Sequence, residues 1–482
     1  MLRRVSLLLT AIIIYSTSFA QDKWDLRRCI EYALANNISI RQSDIQAKIA
    51  ELVLKQGKLG QYPNLSFTGG AGFNSGRNQD PTSFSLITES YLSSSMQLQS
   101  NVEIFNWFSK KNTIAAYQWQ AEAAKAGVDK LKNDIALTVA NAYLQVLLAK
   151  EQQEVTRVQV QQSMAQLDNT RKLVNAGSLP ELNATTLESL LAGDSANYIS
   201  ARGNVDQAIL VLKAYMNVDA AAPFEVDTPP VDLIPVEKIA DLQPEAVYAL
   251  AIANLPQQRV NDYNLKAAEK LVAAARGAMY PTISSYGSLS SSYILSKKRP
   301  VYDIVPTGYS STGLFAYNPA TGGYYDVQRP VFSNITGYSK SNAYGVQLSD
   351  NFRQSVGLSL SIPIFNGGTL RTNWERSKLN VKNYELQRDL DNQSLKQNIY
   401  QAYNAANIAL EKLNASRKAV TAGEQTYAYA QKRYAVGMLS TFDLITTQNN
   451  LFKAKLQYTL NQFDYVFKIK VLEFYKGQGL KL

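Results

Sequence analysis

The 482-residue sequence contains no histidine and a single cysteine, Cys29. The first absence removes histidine-dependent triads, most zinc sites and the commonest general base. The second removes any intrachain disulfide. Long apolar runs are scarce as well. The run from Leu7 to Tyr15 follows Arg3 and Arg4 and precedes the small-x-small sequence Ser18-Phe19-Ala20. That pattern is a secretory leader, too short to cross a bilayer as a helix, so residues 1–20 are expected to be cleaved and the chain exported. Cys29 lies several residues past the cleavage point, so it reads as a small buried hydrophobe, neither a lipid-modified terminus nor a reactive thiol. Basic residues number 49 and acidic ones 39, interspersed along helical segments without basic blocks, so nucleic acid is not an expected partner. Gly69-Gly70-Ala71-Gly72 has no Lys-Ser/Thr after it and is no phosphate loop. No globular segment exists to build a cleft for a carboxylate pair. No enzyme activity, metal or cofactor is expected.

What the sequence does contain is itself, twice. Phe105-Asn106 recurs as Phe365-Asn366, Ala142-Tyr143 as Ala402-Tyr403, Gly177 as Gly437 and Leu179 as Leu439, each 260 positions on. Upstream, Ala35-Asn36 matches Ala253-Asn254 and Tyr62-Pro63 matches Tyr280-Pro281, 218 positions apart. The difference of 42 is an insertion in the second copy, rich in Tyr, Gly, Ser and Pro. Its composition predicts a long exposed loop, about 294–350. The chain is therefore a tandem duplication. The first copy covers 21–220, a linker 221–240, and the second copy 241–482.

Each copy reads as helix, two strands, a very long helix, a glycine turn and a last helix. In copy one the strands are expected at about 63–75 and 94–105 and the helices at about 109–175 and 180–216. In copy two the strands fall at about 281–293 and 354–365, the helices at about 369–435 and 441–476. Ile135, Val139, Ala142 and Val146 follow a 4-3-4 spacing that Leu395, Ile399, Ala402 and Ala406 repeat, a coiled-coil seam. In the strands, Met96, Leu98, Val102 and Ile104 alternate with Gln97, Gln99, Asn101 and Glu103, and Val356, Leu358 and Leu360 with Ser355, Gly357 and Ser359. Alternation ordinarily means one face on a core and one in water. These strands, however, have the length of a tilted membrane-barrel strand, and the second ends in Phe105, Trp107 and Phe108, suited to an interfacial aromatic girdle. Four strands leave two open edges, which lipid does not tolerate, so closure needs other copies; three would give twelve strands.

These residues resemble the TolC family of outer-membrane efflux channels, over nearly all of the mature sequence. The match is carried by Ala33-Leu34-Ala35-Asn36, Asn254-Leu255-Pro256, the two Tyr-Pro pairs and Pro363-Ile364-Phe365-Asn366-Gly367-Gly368. Its most specific part is Lys432-Arg433-Tyr434-Ala435-Val436-Gly437, then Ser440, Phe442-Asp443-Leu444 and Gln448. The resemblance implies an α+β membrane protein. Each subunit of a homotrimer would give four β-strands to a 12-stranded barrel in outer-membrane lipid, with long antiparallel coiled coils forming a periplasmic α-barrel. It implies an exit duct for an efflux pump or type I secretion system, working with a periplasmic adaptor (membrane fusion) protein and an inner-membrane pump. A stand-alone porin or surface adhesin is the alternative, and a soluble periplasmic scaffold a third reading.

The same resemblance places an acidic ring of the tip gate on Asp443, while a second ring position falls on Thr446 and is lost. The first-copy tip acid falls on Asn183, its latch partner on Tyr434, and a latch arginine on Leu439. Adaptor docking falls on the turns Gly177-Ser178-Leu179 and Gly437-Met438-Leu439. Independently of the resemblance, Ser440-Thr441-Phe442-Asp443 and Ser178-Leu179-Pro180-Glu181 each fit a capping box. Phe442 and Leu182 read as interhelix packing residues.

Overall fold

A computed structural model describes residues 23–79, 86–228, 234–296, 299–302, 306, 308–331, 335–339 and 341–477. The leader, residues 1–20, lies outside them. Along the chain run α1 (Leu26–Asn36), α2 (Ile38–Leu59), β1 (Asn64–Gln79), β2 (Leu86–Phe105), α3 (Ser109–Asn175) and α4 (Glu181–Met216). Then come α5 (Pro244–Asn254), α6 (Pro256–Gly277), β3 (Thr282–Ser296), β4 (Arg299–Tyr302), β5 (Gly308–Asn318), β6 (Gly323–Val331) and β7 (Ile335–Ser339). The last elements are α7 (Tyr344–Asp350), β8 (Arg353–Ser361), α8 (Thr369–Ala435) and α9 (Thr441–Tyr475). The chain divides into two compact units. The helical one comprises Met1–Leu54, Ala115–Val272 and Arg376–Leu482, and the sheet one Lys55–Ile114 and Ala273–Glu375.

In the helical unit, α3 and α8 belong to elements of 67 residues each, about 100 Å at 1.5 Å per residue. Their partners α4 and α9 have 36 and 35 residues. The seam residues Val139, Val146, Ile399 and Ala406 are fully buried. Val139 and Val146 join Leu26, Cys29, Tyr143, Leu212, Met216 and Val466 in one apolar cluster, and Ile399 and Ala406 join Leu242, Val247, Ile469 and Leu472 in another. Each such aliphatic side chain contributes about 1.5–3 kcal/mol when fully buried. Polar pairs fix the register between helices. Across α3 and α4, buried Asp194 accepts from Ser163 Oγ at 2.6 Å and from Gln159 Nε2 at 3.3 Å, and Arg171 pairs with Glu188. Across α8 and α9, Asn461 donates to the Lys412 carbonyl at 3.2 Å and Lys455 meets Glu424 at 2.9 Å.

The opening helix of each copy is split. Asn37 ends α1 and its Oδ1 accepts from the N–H groups of Ser39 at 2.9 Å and Ile40 at 3.4 Å, capping α2. In copy two Pro256 opens α6, where its missing N–H is no loss. Between the copies, three lysines hold the linker by its carbonyls. Lys150 donates to Val226, Lys213 to Ala220 and Ala222, and Lys470 to Pro235, all at 2.5–2.8 Å. Tyr143 adds a bond to Asp227 O at 2.7 Å. The ammonium groups of Lys213 and Lys470 are buried, which these charge-assisted bonds make tolerable.

In the sheet unit the order is β1-β2-β3-β8, all antiparallel, with β1 and β8 at the edges. The registers Phe67↔Leu98↔Leu289 and Val102↔Ser285↔Leu358 place the apolar residues of all four strands on one face. That face carries Leu65, Phe67, Phe73, Met96, Leu98, Leu289, Val356, Leu358 and Leu360, much of it exposed; Val356 is 86% exposed. The opposite face is mostly Ser, Thr, Asn and Gln. This is the two-sided character of a lipid-facing barrel wall.

The strands differ from the sequence expectation. β1, β2 and β3 extend to 16, 20 and 15 residues because their outer halves pair through serine and glycine, without the apolar alternation that marks a strand in sequence. β8 stops at Ser361, short of 365, because Pro363 has no N–H to give a ladder. The expected loop 294–350 is also structured. It holds two β-ribbons, β4–β7 and β5–β6, and the helix α7, because its Tyr/Ser stretches find partners within the insertion. α7 finishes the edge that β8 leaves open. The Gln347 side-chain amide accepts from Ile294 N–H and donates to Ile294 O, both at 3.0 Å, standing in for a neighbouring strand. Asn351 does the same for Ser292 O at 2.7 Å.

Candidate functional site

Two places gather the candidate residues: the hairpin tips of the helical unit and the strand-to-helix corners of the sheet unit.

At the tips, Gly177 (φ 73°) and Gly437 (φ 74°) adopt the left-handed conformation, which glycine enters without steric cost. Ser178 N bonds Leu173 O and Gly177 N bonds Val174 O; Met438 N bonds Arg433 O and Gly437 N bonds Tyr434 O, all at 2.8–3.0 Å. Each is a Schellman ending that satisfies the last carbonyls of a long helix. Ser178 and Met438 are exposed, Leu179 and Leu439 half-buried. Beyond the turn the copies diverge. Ser440 caps α9, its Oγ accepting from Asp443 N at 3.1 Å and donating to Asp443 Oδ2 at 2.7 Å. In copy one the capping box does not form. Pro180 occupies the cap position and has no side-chain acceptor to offer, and the Ser178 N–H that Glu181 would have to reach is committed to the turn.

The gate residues are placed as follows. Asp443 is exposed and held by Ser440. Thr446 is exposed and bonds back to Phe442 O at 2.8 Å. The Tyr434 hydroxyl lies 3.4 Å from Thr170 Oγ1 and 3.3 Å from Thr441 Oγ1, so within one subunit its partners are threonines rather than Asn183. Asn183 is half-buried, with its backbone N–H bonded to Pro180 O. Leu182 and Phe442 do not pack within the subunit; they are 73% and 72% exposed, beside Val436 and Met438 at 68% each. Ala184 and Leu187 take the buried face of α4, and Thr441 and Leu444 that of α9, which turns Leu182 and Phe442 outward. A cleft of about 640 Å³ lies between α3 and α8, lined by Gln162, Gln166, Thr170, Tyr427, Gln431 and Tyr434. Burial pushes the Tyr427 hydroxyl pKa up, so it stays protonated there. Gln448, named above in the resemblance, is buried with both amide atoms unpartnered among the described residues, and sequence reading missed Glu188 at the equivalent position, paired to Arg171. The 260-residue spacing was the signal that links them.

At the corner after β2, Phe105 packs on Trp107 (5.4 Å between ring centroids) and on Phe108 (5.7 Å), and Trp107 on Tyr280 (5.1 Å). Trp107 (φ 49°) and Phe108 (φ 62°) are both left-handed. The copy-two corner uses Gly367 (φ 65°) and Gly368 (φ 78°).

The sequence model of the family described as "Outer membrane efflux protein" matches residues 29–218 and 330–467. The outer membrane protein TolC of Escherichia coli K12 is 23% identical over 344 residues, 69% of this chain and 59% of that protein's length. The probable efflux pump outer membrane protein TtgC of Pseudomonas putida KT2440 is 22% identical over 447 residues, 89% of this chain and 78% of its own. Among solved structures, CusC superposes with a TM-score of 0.74 at 16% identity, covering 94% of this chain and 92% of CusC, which establishes likeness of fold.

Proposed function

The chain belongs to the outer membrane efflux protein family, and from that premise we propose that it is the outer-membrane exit duct of an efflux or secretion machine. The observation that carries this is the two-faced sheet with free edges, on a chain whose two longest helices have 67 residues each. An exposed apolar face needs lipid, and the unpaired backbone of β1 and β8 needs other copies of the same strands. Three copies give a twelve-stranded barrel, wide enough for a water-filled lumen. The serine-rich face then lines that lumen, and the helical seams pack side by side as a periplasmic tunnel wall. Phe105, Trp107, Phe108 and Tyr280 suit the membrane interface, where amphipathic rings sit.

The tips are the docking ends for a periplasmic adaptor and its inner-membrane pump. Leu182, Val436, Met438 and Phe442 offer apolar side chains that the described residues leave largely exposed, and the glycine turns let a partner approach the backbone. Asp443 and its two copies around the threefold axis narrow the tip and favour cations. The conduit does no chemistry; it supplies a path.

The test has two parts. Crosslinking and mass measurement of the detergent-solubilised protein should give three copies, and a stable monomer refutes the architecture. Gly437→Trp should raise drug sensitivity of cells while trimer abundance in the outer membrane stays unchanged; normal efflux in that variant refutes tip docking.

A further inference from the structure

The polar face of the sheet has a chemistry of its own. Over the rows from Asn64 to Gly72 of β1 and their partners, it carries Asn64, Ser66 and Thr68, then Ser93, Ser95, Gln97, Gln99 and Asn101. β3 adds Ser284, Tyr286, Ser288, Ser290 and Ser292, and β8 adds Ser355, Ser359 and Ser361. This part of the face bears two charges, one just beyond these rows and one within them. Glu103 sits at the end of β2, where Lys110 approaches it at 3.5 Å and Asn106 donates to it at 3.1 Å. The other is Arg353, the first residue of β8. One register row runs Thr68↔Gln97↔Ser290↔Arg353 across all four strands. The guanidinium of Arg353 is exposed and has no ion pair or hydrogen bond among the described residues. Beside it is a cleft of about 480 Å³ lined by Thr68, Ser95, Gln97, Ser290, Asn351 and Arg353.

An arginine that served the sheet would be tied to a carboxylate or a carbonyl, as Lys110 and Lys470 are elsewhere in the chain. Arg353 is instead a free five-donor fork, matched in geometry to oxyanions and ringed by hydroxyl and amide donors. We infer that Arg353 is an anion-holding, selectivity-setting residue of the barrel lumen, whose ligands are small oxyanions and the carboxylate or phosphate groups of passing cargo. This rests on the trimeric duct proposed above: three copies bring three guanidinium groups to one level of a wall that is otherwise neutral there. Like charges facing one lumen sum to a positive potential that concentrates anions. The duct then has opposite preferences along its path, cation-favouring at Asp443 and anion-favouring at Arg353.

The experiment uses the purified full-length protein in planar bilayers with potassium chloride, and sulfate as the probe. Millimolar sulfate on the side where the barrel opens should lower single-channel current by about twofold or more. Arg353→Gln should abolish that block and move the reversal potential in a salt gradient toward potassium preference. Arg353→Lys, which keeps the charge without the fork, should restore part of both. Channels whose sulfate block and reversal potential ignore Arg353→Gln overturn this inference alone. A protein that forms no channels overturns the duct and this inference together.

Discussion

The two strand-to-helix corners share one backbone and disagree about how to build it. In copy two the left-handed pair is Gly367-Gly368, the residues that adopt this conformation freely. In copy one it is Trp107-Phe108, for which the left-handed region costs roughly 1–2 kcal/mol per residue. Both corners then start a long helix in the same way, with Asn112 N bonded to Phe108 O and Thr372 N to Gly368 O, each at 2.9 Å. Copy one offsets its strain with ring contacts to Phe105 and Tyr280, and with a close approach from α6. Ser109 Oγ donates to Ala274 O at 2.9 Å, and a Cβ at Gly277 would lie 2.8 Å from Trp107 O. Position 59, the copy-one counterpart of Gly277, is a leucine. The strained aromatic corner thus has a glycine packed against it, whereas nothing lies within 4 Å of a Cβ added at Gly367 or Gly368. Duplication preserved the turn and left each copy to find its own way of stabilising it.

That comparison breaks most readily at Gly277. Gly277→Val should cause the largest loss, about 3 kcal/mol or failure to assemble, because its methyls meet backbone atoms of the corner that cannot yield. The heat-dissociation midpoint of the trimer measures it, and wild-type behaviour would show that the approach is loose. Next in size, the pair Gly367→Ala with Gly368→Ala should cost about 2–3 kcal/mol, all of it backbone, since nothing lies within 4 Å of either added Cβ. The reciprocal pair, Trp107→Gly with Phe108→Gly, should change stability by less, about 1 kcal/mol, because relieved strain offsets lost ring contacts. If it costs more than the alanine pair, aromatic packing and lipid dominate the corner. Smaller still, Gly177→Ala and Gly437→Ala should each cost about 1 kcal/mol and by equal amounts, since φ and open space match at the two tips. Unequal losses would reveal different packing of the tips. Least of all, Asp443→Asn should alter stability by no more than about 0.5–1 kcal/mol, the value of a charge near a helix N-terminus. Its readout is electrical. Cation preference and multivalent-cation block in planar bilayers should vanish with it, and Asn183→Asp should strengthen both; no change in either variant leaves Asp443 as a cap only.

The fold class was legible because its signals are local and repeated. The 260-residue spacing, the 4-3-4 seam and the glycines that end α3 and α8 all survive in a single line of sequence. The sidedness of the sheet was half legible: Val356, Leu358 and Leu360 alternate openly, whereas Ser93-Ser94-Ser95 and Ser290-Ser291-Ser292 give no period at all. Their facing emerges only from register. Trp107 and Phe108 gave no hint of a left-handed turn, since aromatics rarely enter one, yet aligning them with Gly367-Gly368 would have exposed it. The ribbons of 294–350 were hidden because a hairpin rich in Ser and Tyr has the composition of a loop. Arg353 is silent in sequence because the alternation that marks β8 begins beyond it, at Ser355 and Val356. Lys213 and Lys470 carry no mark in the sequence that sets them apart from other helical lysines, and only the linker carbonyls show why they are buried.

Cys29 illustrates a reading that geometry sharpens. It is fully buried in the cluster of Leu26, Tyr143 and Met216, and burial pushes its thiol up to about 12. At pH 8 the thiolate is scarce and out of reach, so maleimide should label the native protein slowly and the denatured protein fast. Quick native labelling would mean that this cluster opens.

The matched lengths of the helices have a consequence for how such a chain can change. With 67 residues in both α3 and α8, and 36 and 35 in α4 and α9, the two hairpins are matched in length. Deleting one heptad from α3 alone would shear its seam against α4 and set the two turns at different heights. A tolerated change has to remove seven residues from all four helices together, shortening the reach by about 10 Å. The duplicated chain is in that sense a ruler with coarse graduations: its span drifts little under single insertions, and a cell envelope of different depth calls for a coordinated edit in four places.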